Sequence, residues 1–360
     1  MNSSGNDTSP YKCIFDEDFK YVLLPVSYGI VLCVGLILNI LALYIFLFRI
    51  KPWNASTTYM FNLAIADIMY VISLPLLIYY YSQGDDWPFG EALCKIVKFL
   101  FYNNMYCSIF FLLCISIHRF IGICFPMKSL GWLKVRNARI ISVVVWIFIA
   151  AFQSPILYFV TTSTKGDSTT CHDTSSVDLF DTFVVYSSVS LALLFCVPFV
   201  IIIICYTLMT RALMKPSAAS SDTSNSKKKS IKMIIIVLLT FIICFLPFHV
   251  NRTLYYYFRK LDLDCDTLNA INMAYKVTRP LASANSCLDP ILYFLAGQTV
   301  RRNIIPRSGL TKVKNKFSTY VRSNNSSSAT NSNAAENSFT PISSDMPSAP
   351  SPSPTVITRM

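Results

Sequence analysis

The sequence predicts an all-α membrane protein, a bundle of seven transmembrane helices. Charge scarcity comes first: only 14% of the 360 residues are Asp, Glu, Lys or Arg, and 53% are hydrophobic, against roughly 25% charged in ordinary soluble domains. Distribution comes second. No charge interrupts Tyr21 to Phe48, Ile140 to Thr164 or Thr182 to Thr210, and each stretch exceeds the roughly 20 residues a helix needs to cross a bilayer. Backbone groups in lipid must be satisfied internally, so long apolar stretches without barrel alternation are helices.

The spans fall at about 21–48, 57–82, 92–124, 138–161, 182–211, 231–258 and 267–295. They divide the chain into an N-terminal segment (1–20), a seven-helix bundle (21–308) and a tail (309–360). Connections are short except for a loop of about twenty residues around Cys171 and a Ser/Lys-rich stretch from Lys215 to Lys232. The opening residues lack a basic and then apolar leader, so the first span is expected to act as an uncleaved signal-anchor.

Orientation follows from basic residues at the span ends. Arg49, Lys51, Lys128, Lys134, Arg136, Arg211, Lys227, Lys228, Lys229, Arg301 and Arg302 lie on one side. Glu17, Asp85, Asp86, Asp173, Asp178, Asp264 and Asp266 lie on the other. The positive-inside rule places the basic side in the cytosol and the N-terminus outside the cell, in the plasma membrane. The net charge of +12 is thus mostly orientation, and no nucleic-acid partner is expected. Asn2 and Asn6, in Asn-X-Ser/Thr patterns, are expected glycosylation sites.

Eight of the twelve cysteines lie in or at the ends of apolar segments, where a thiol behaves as a small hydrophobe. Cys13, Cys94, Cys171 and Cys265 share the outer, oxidising side, and four cysteines permit three pairings. The tail from Gly309 is rich in Ser, Asn, Thr and Pro, so it is expected to be disordered and open to kinases. Its last residues, Thr358-Arg359-Met360, resemble a short PDZ ligand.

Ionisable residues inside a bilayer are functional hypotheses by default. One group is acidic: Asp67 and Asp289, with Ser108, Asn285 and Ser286 able to add oxygens, could hold a sodium ion, or could be protonated carboxylates that only pack helices. The other group is basic. Lys98 is one turn beyond Cys94, His249 and Arg252 are spaced i,i+3 on the sixth span, and Lys276 and Arg279 repeat that spacing on the seventh. Tyr102, Tyr106 and Tyr275 lie at the same level. Three helices thus bring cations beneath an acidic rim, and guanidinium forks suit phosphate oxygens. The alternatives are snorkelling to headgroups, expected for Arg259 and Lys260, and an internal ion pair with Asp173 or another loop carboxylate. No enzyme constellation is present: three histidines, no metal-ligand cluster and no phosphate loop.

Taken together, Asn39, Leu63-Ala-Ile-Ala-Asp67, Cys94, Trp146, Pro198, Tyr206, Cys244-Phe-Leu-Pro247 and Asp289-Pro290-Ile-Leu-Tyr293 resemble the rhodopsin-like G-protein-coupled receptors. Within them, Phe248-His249-Val-Asn-Arg252, Tyr275-Lys276-Val-Thr-Arg279-Pro280, Trp87-Pro-Phe-Gly90 and Cys171-His-Asp173-Thr are similar to the metabotropic nucleotide receptors. Asp18-Phe-Lys-Tyr-Val-Leu-Leu-Pro25 is similar to the branch responding to UTP and ATP. The resemblance implies phosphate contacts from Lys98, His249, Arg252 and Arg279, bridges Cys94–Cys171 and Cys13–Cys265, and coupling through Arg119 to a G protein, phospholipase C and calcium release. Two rivals stand beside it, a lysophospholipid or other anionic-ligand receptor and an anion transporter. One departure is His118 where relatives carry an acid before Arg119, which implies a weaker inactive-state lock. No cysteine follows Cys287, so the usual palmitate anchor is missing.

Overall fold

The computed structural model describes residues 17–125, 133–166, 168–172, 174–175, 177–214, 221–261 and 264–296. Asn2, Asn6, Cys13, Asp173 and the tail with Thr358-Arg359-Met360 therefore lie outside the described residues.

Among the described residues, seven helices are present. α1 is Lys20–Arg49, α2 Ala55–Ser82, α3 Gly90–Cys124, α4 Val135–Phe159 and α5 Phe180–Met214. α6 covers 221–260, and α7 is Cys265–Ser283 continued by Asn285–Ala296 after a turn at Ala284. α1 to α6 each contain a stretch long and apolar enough to cross a membrane. α7 does not reach that threshold, because Asp266, Asn272, Lys276, Arg279 and Asp289 interrupt its apolar surface. The boundaries agree with the sequence reading except in α6. There the helix begins at Ser221, inside the stretch read as a connection. Lysine is a good helix former, so a helix can continue beyond the bilayer on basic residues.

Each helix buries one stripe and turns the other to lipid. In α1 the buried residues are Leu24, Tyr28, Val31, Gly35, Asn39 and Ala42, three or four apart as a 3.6-residue period requires. Val22, Val26, Ile30 and Ile37 on the opposite side are exposed. Gly35 permits close packing: a Cβ there would meet Val71 Cγ2 at 3.3 Å and Cys287 Sγ at 3.7 Å. Asn39 then donates from Nδ2 to the Ser286 carbonyl at 2.8 Å, joining α1 to α7. Trp146 Nε1 donates to Asn62 Oδ1 at 3.0 Å, joining α4 to α2. α3, 35 residues long, spans about 52 Å at 1.5 Å per residue and is buried through most of its length.

Breaks in the helices follow local chemistry. Asn54 caps α2 by accepting from Thr57 N at 2.8 Å, and the helix is interrupted before Pro75. α5 and α6 each contain a wide π-helical segment, Leu191–Cys196 and Phe241–Phe245, immediately before Pro198 and Pro247. Proline removes a backbone donor, and single π turns mark such sites.

The stretch around Cys171, read as a loop, folds as an antiparallel hairpin. β1 (Thr162–Lys165) pairs with β2 (Ser168–Cys171), with Thr162 opposite Cys171. Gly166, at φ +62°, makes the turn. Trp87 N donates to the Thr169 carbonyl at 2.7 Å, Thr169 N donates to Asp86 Oδ1 at 3.0 Å, and Cys171 is disulfide-bonded to Cys94. These tertiary ties leave no hydrophobic alternation for a sequence reader to see. Cys265 is also in a disulfide, and its expected partner, Cys13, lies outside the described residues.

Candidate functional site

Cations from four helices form two tiers at the Cys94 end of the bundle. The upper tier borders a cavity of about 530 Å³, within the size range of ligand pockets. Lys20, Lys276 and Arg259 line it together with Glu17, Asp85 and the tyrosines Tyr81, Tyr255 and Tyr275. Lys20 is ion-paired with both Glu17 and Asp85. Glu17 Oε1 also lies 3.7 Å from Lys276 Nζ and accepts from Asn272 Nδ2 at 2.7 Å. Burial opposes ionisation of Glu17. The neighbouring Lys276 charge and the hydrogen bonds from Lys20 and Asn272 outweigh it, and they hold the carboxyl below its usual value.

The lower tier is buried. Arg252, 3% exposed, donates from Nε to Ser187 Oγ at 3.2 Å. Its guanidinium lies over the rings of Tyr102 (4.9 Å), Tyr256 (5.6 Å) and Phe248 (5.9 Å). Arg279, 4% exposed, donates from Nη1 to the Tyr81 hydroxyl at 3.2 Å and lies over Tyr275 (5.9 Å) and Phe101 (6.0 Å). Phe101 touches both Tyr102 and Phe248, and Phe248 touches Tyr275. One aromatic cluster therefore carries both guanidiniums, whose charge is balanced against ring faces. Lys98 is buried one turn above Tyr102 on α3, and Tyr106, a turn below, packs edge-on against His249 at 5.8 Å.

The expected site residues divide by their place. Of the eight residues assigned to the ligand site, only Tyr275 and Lys276 line the cavity. Lys98, Tyr102, Tyr106, His249, Arg252 and Arg279 are buried and do not line it; Tyr81 and Tyr275, which do, contact Arg279. Tyr255 and Tyr275 stack at 5.5 Å with an 11° interplanar angle. Arg259 and Lys260, expected to snorkel, both have partners within the protein. Arg259 lies over Phe180 at 4.5 Å and borders the cavity, and Lys260 pairs with Asp181 at 2.9 Å.

Sequence reasoning missed Glu17, Lys20, Tyr81 and Ser187. Lys20 carried a signal: it is the basic residue between an acidic run and the first apolar span. Arg252 has no carboxylate partner among the described residues, and Asp173, the rival partner, lies outside them.

Deeper in the bundle, Asp67 Oδ1 accepts from Asn104 Nδ2 at 3.0 Å, and Asn285 Nδ2 donates to Ser108 Oγ at 3.0 Å. Asp67 Oδ2, both Asp289 oxygens, Ser286 Oγ and Asn285 Oδ1 are buried without hydrogen-bond partners among the described residues. Two carboxylates and neutral oxygens suit a small hard cation. The described residues hold no group of three or more His, Cys, Asp or Glu placed for a metal ion.

At the opposite end, Arg119 follows His118, whose Nδ1 lies 3.1 Å from Ser56 Oγ. Arg119 makes no ion pair among the described residues, and its Nε is buried without a partner. Tyr206 and Ser116 share a hydrogen bond of 2.6 Å one turn away.

Residues 38–293 match the model of the 7 transmembrane receptor (rhodopsin family). The chain is 63% identical to the Y-type purinoceptor 2 of Rattus norvegicus over 82% of its own length and 79% of the relative's. The Y-type purinoceptor 2 of Homo sapiens is 62% identical over 82% and 79% of the two chains. The Y-type purinoceptor 4 of Homo sapiens is 51% identical over 83% and 82%. The protein is a membrane-spanning receptor and not an enzyme, and it belongs to the rhodopsin family of seven-transmembrane receptors.

Proposed function

We propose that this receptor binds extracellular nucleotides, UTP or ATP, at the Cys94 end, and signals through a G protein to phospholipase C and calcium release. In this reading the N-terminus is extracellular and the basic Arg119 end is cytosolic. The carrying observation is the placement of two guanidiniums from different helices over one aromatic cluster, beneath a cavity bordered by further cations. A polyphosphate entering that cavity meets Lys276 first and reaches Arg279, Arg252 and Lys98 when the tyrosines part. Ring faces are weaker partners for guanidinium than phosphate oxygens, at about 0.5–2 kcal/mol against 1.5–3 kcal/mol for a charged hydrogen bond. Exchange is therefore favourable. The purinoceptor relatives, alike over four-fifths of this chain, support the same ligand class.

Calcium release in cells lacking native nucleotide receptors, measured across UTP, ATP, their diphosphates and lysophospholipids, tests the assignment. Response to a lysophospholipid and to no nucleotide would favour the rival anionic ligand. Uptake of radiolabelled nucleotide without calcium release would favour a transporter.

The buried carboxylate site supports a bound sodium ion held by Asp67, Asp289, Ser108, Asn285 and Ser286. Its test is loss of sodium-dependent agonist potency in Asp67→Asn. We also propose that the Ser/Thr-rich tail serves kinases and arrestin, that Thr358-Arg359-Met360 offers a weak PDZ ligand, and that Asn2 and Asn6 are glycosylated. Mass spectrometry of the purified receptor checks the last of these.

A further inference from the structure

The hydrogen bonding of His249 is wrong for a phosphate contact. Its Nδ1 lies 2.8 Å from the Phe245 carbonyl oxygen. A carbonyl only accepts, so Nδ1 carries the proton, and in a neutral ring Nε2 is then a bare lone pair. Nε2 is buried and has no hydrogen-bond partner among the described residues. The ring cannot easily turn away: it stacks on Phe195 at 4.2 Å and 12° and meets Tyr106 edge-on at 5.8 Å. A bare acceptor repels a phosphate oxygen. A second N–H at Nε2 would create an imidazolium one helical turn from the Arg252 guanidinium, two like charges at i,i+3.

The neighbouring groups narrow the choice. The Tyr106 hydroxyl and Arg252 Nη1 are likewise buried without a hydrogen-bond partner among the described residues. His249, its edge-on neighbour Tyr106 and Arg252 one turn along the same helix thus carry one bare acceptor, one hydroxyl that does either and one strong donor. Phosphate oxygens, which only accept, fit the guanidinium and leave Nε2 unsatisfied. A hydroxyl both donates and accepts, and fits all three.

We propose that His249, with Tyr106, forms a subsite for a neutral hydroxyl of the ligand, His249 Nε2 accepting from that O–H. Arg252 Nη1, with two N–H bonds, borders the subsite and links it to the phosphate-binding cations. The inference rests on the nucleotide reading, in which the hydroxyl is a sugar hydroxyl, and it removes His249 from the phosphate contacts.

The test uses the full-length receptor in cells lacking native nucleotide receptors, with surface expression measured for each variant. UTP and its 2′,3′-dideoxy analogue are compared on wild type, His249→Ala, His249→Gln and His249→Lys. Loss of one neutral hydrogen bond is expected to raise the activating concentration of the analogue by about three- to tenfold on wild type. His249→Ala is expected to respond equally to both nucleotides. His249→Gln, which keeps an acceptor, retains most of the discrimination, and His249→Lys loses potency. Full potency in His249→Lys, or discrimination undiminished in His249→Ala, would overturn the proposal. Histidine-labelled ¹⁵N NMR of the purified receptor adds a readout that a packing role would not give: Nε2 of His249 should shift upfield, as an accepting nitrogen does, on binding UTP and not on binding the dideoxy analogue. Nε2 of His249 should stay unprotonated at pH 7 with UTP bound, and a protonated Nε2 would overturn it. A wild-type receptor silent to every nucleotide would overturn the nucleotide reading itself, and the sugar assignment with it. Responses to UTP combined with full potency in His249→Lys would overturn this inference alone.

Discussion

Glu17 is the described carboxylate nearest the cation that an incoming phosphate meets first, and replacing it with Gln isolates its charge. The amide oxygen of Gln can still accept from Asn272, and Lys20 keeps Asp85 as a partner, so the local packing survives. At the observed 3.7 Å from Lys276, Coulomb's law gives about 4.5 kcal/mol at an effective dielectric of 20 and about 1.1 kcal/mol in bulk water. The two side chains are 22% and 14% exposed and border an open cavity, so screening places the interaction near the lower figure. An anionic agonist no longer competing with Glu17 should therefore activate Glu17→Gln at about fivefold lower concentration. Calcium concentration–response curves, normalised to surface expression, measure this. In the double variant Glu17→Gln, Lys276→Gln the gain should vanish, since the cycle isolates the pair. Unchanged or reduced potency in Glu17→Gln alone would refute the competition.

The remaining expectations are brief. Because the folded-state acidity of Glu17 is shifted below its usual value of 4.5, the stability it contributes is fully present above that value and lost as pH falls through the lowered one. Thermal midpoints of wild type and Glu17→Gln should thus differ by a constant amount from pH 5 to 8 and converge only in stronger acid. Arg252→Ala or Arg279→Ala should raise the activating concentration tenfold or more. Arg252→Lys should recover only part of it, because an ammonium lacks the flat face that rests on Tyr102. Cys171→Ser opens a loop of 77 residues, for which chain entropy gives about 4.5 kcal/mol, and flow cytometry should record a severe loss of surface receptor. His118→Asp, by supplying an anion beside Arg119, should lower agonist-free G-protein activation, measured by nucleotide exchange on the G protein.

Much of the architecture was legible because the bilayer imposes a severe rule on composition. The charge-free stretches of α1, α4 and α5 admit one interpretation. α7 was legible only through the pattern around Arg279 and Asp289, since its hydropathy falls short. Within the site, the i,i+3 spacings of His249 and Arg252, and of Lys276 and Arg279, are set by the helical period alone, and both pairs occupy the expected end of the bundle. What periodicity cannot convey is depth behind neighbours. The tyrosines that cover Arg252 and Arg279 come from α2, α6 and α7, and no local pattern in any one helix says that they meet. The return of Glu17 over α7, and the hairpin held to Trp87 and Cys94, depend on contacts between residues up to 255 positions apart. The contact of Arg259 with Phe180 on α5 was hidden for the same reason, since no local pattern pairs the two helices.

The polarity of α7 has a consequence for how the chain is made. At roughly 2.5–3.5 kcal/mol for each charge near a helix centre, a helix carrying Lys276, Arg279 and Asp289 is a poor candidate to leave the translocon alone. Its stabilising partners, the Gly35–Asn39 face of α1, Tyr81 on α2 and Phe248 on α6, are all synthesised before it. The last helix can therefore enter the membrane as a guest of its predecessors. Nascent chains damaged in α1, α2 or α6 should be recognised by cellular quality control through an α7 that fails to insert.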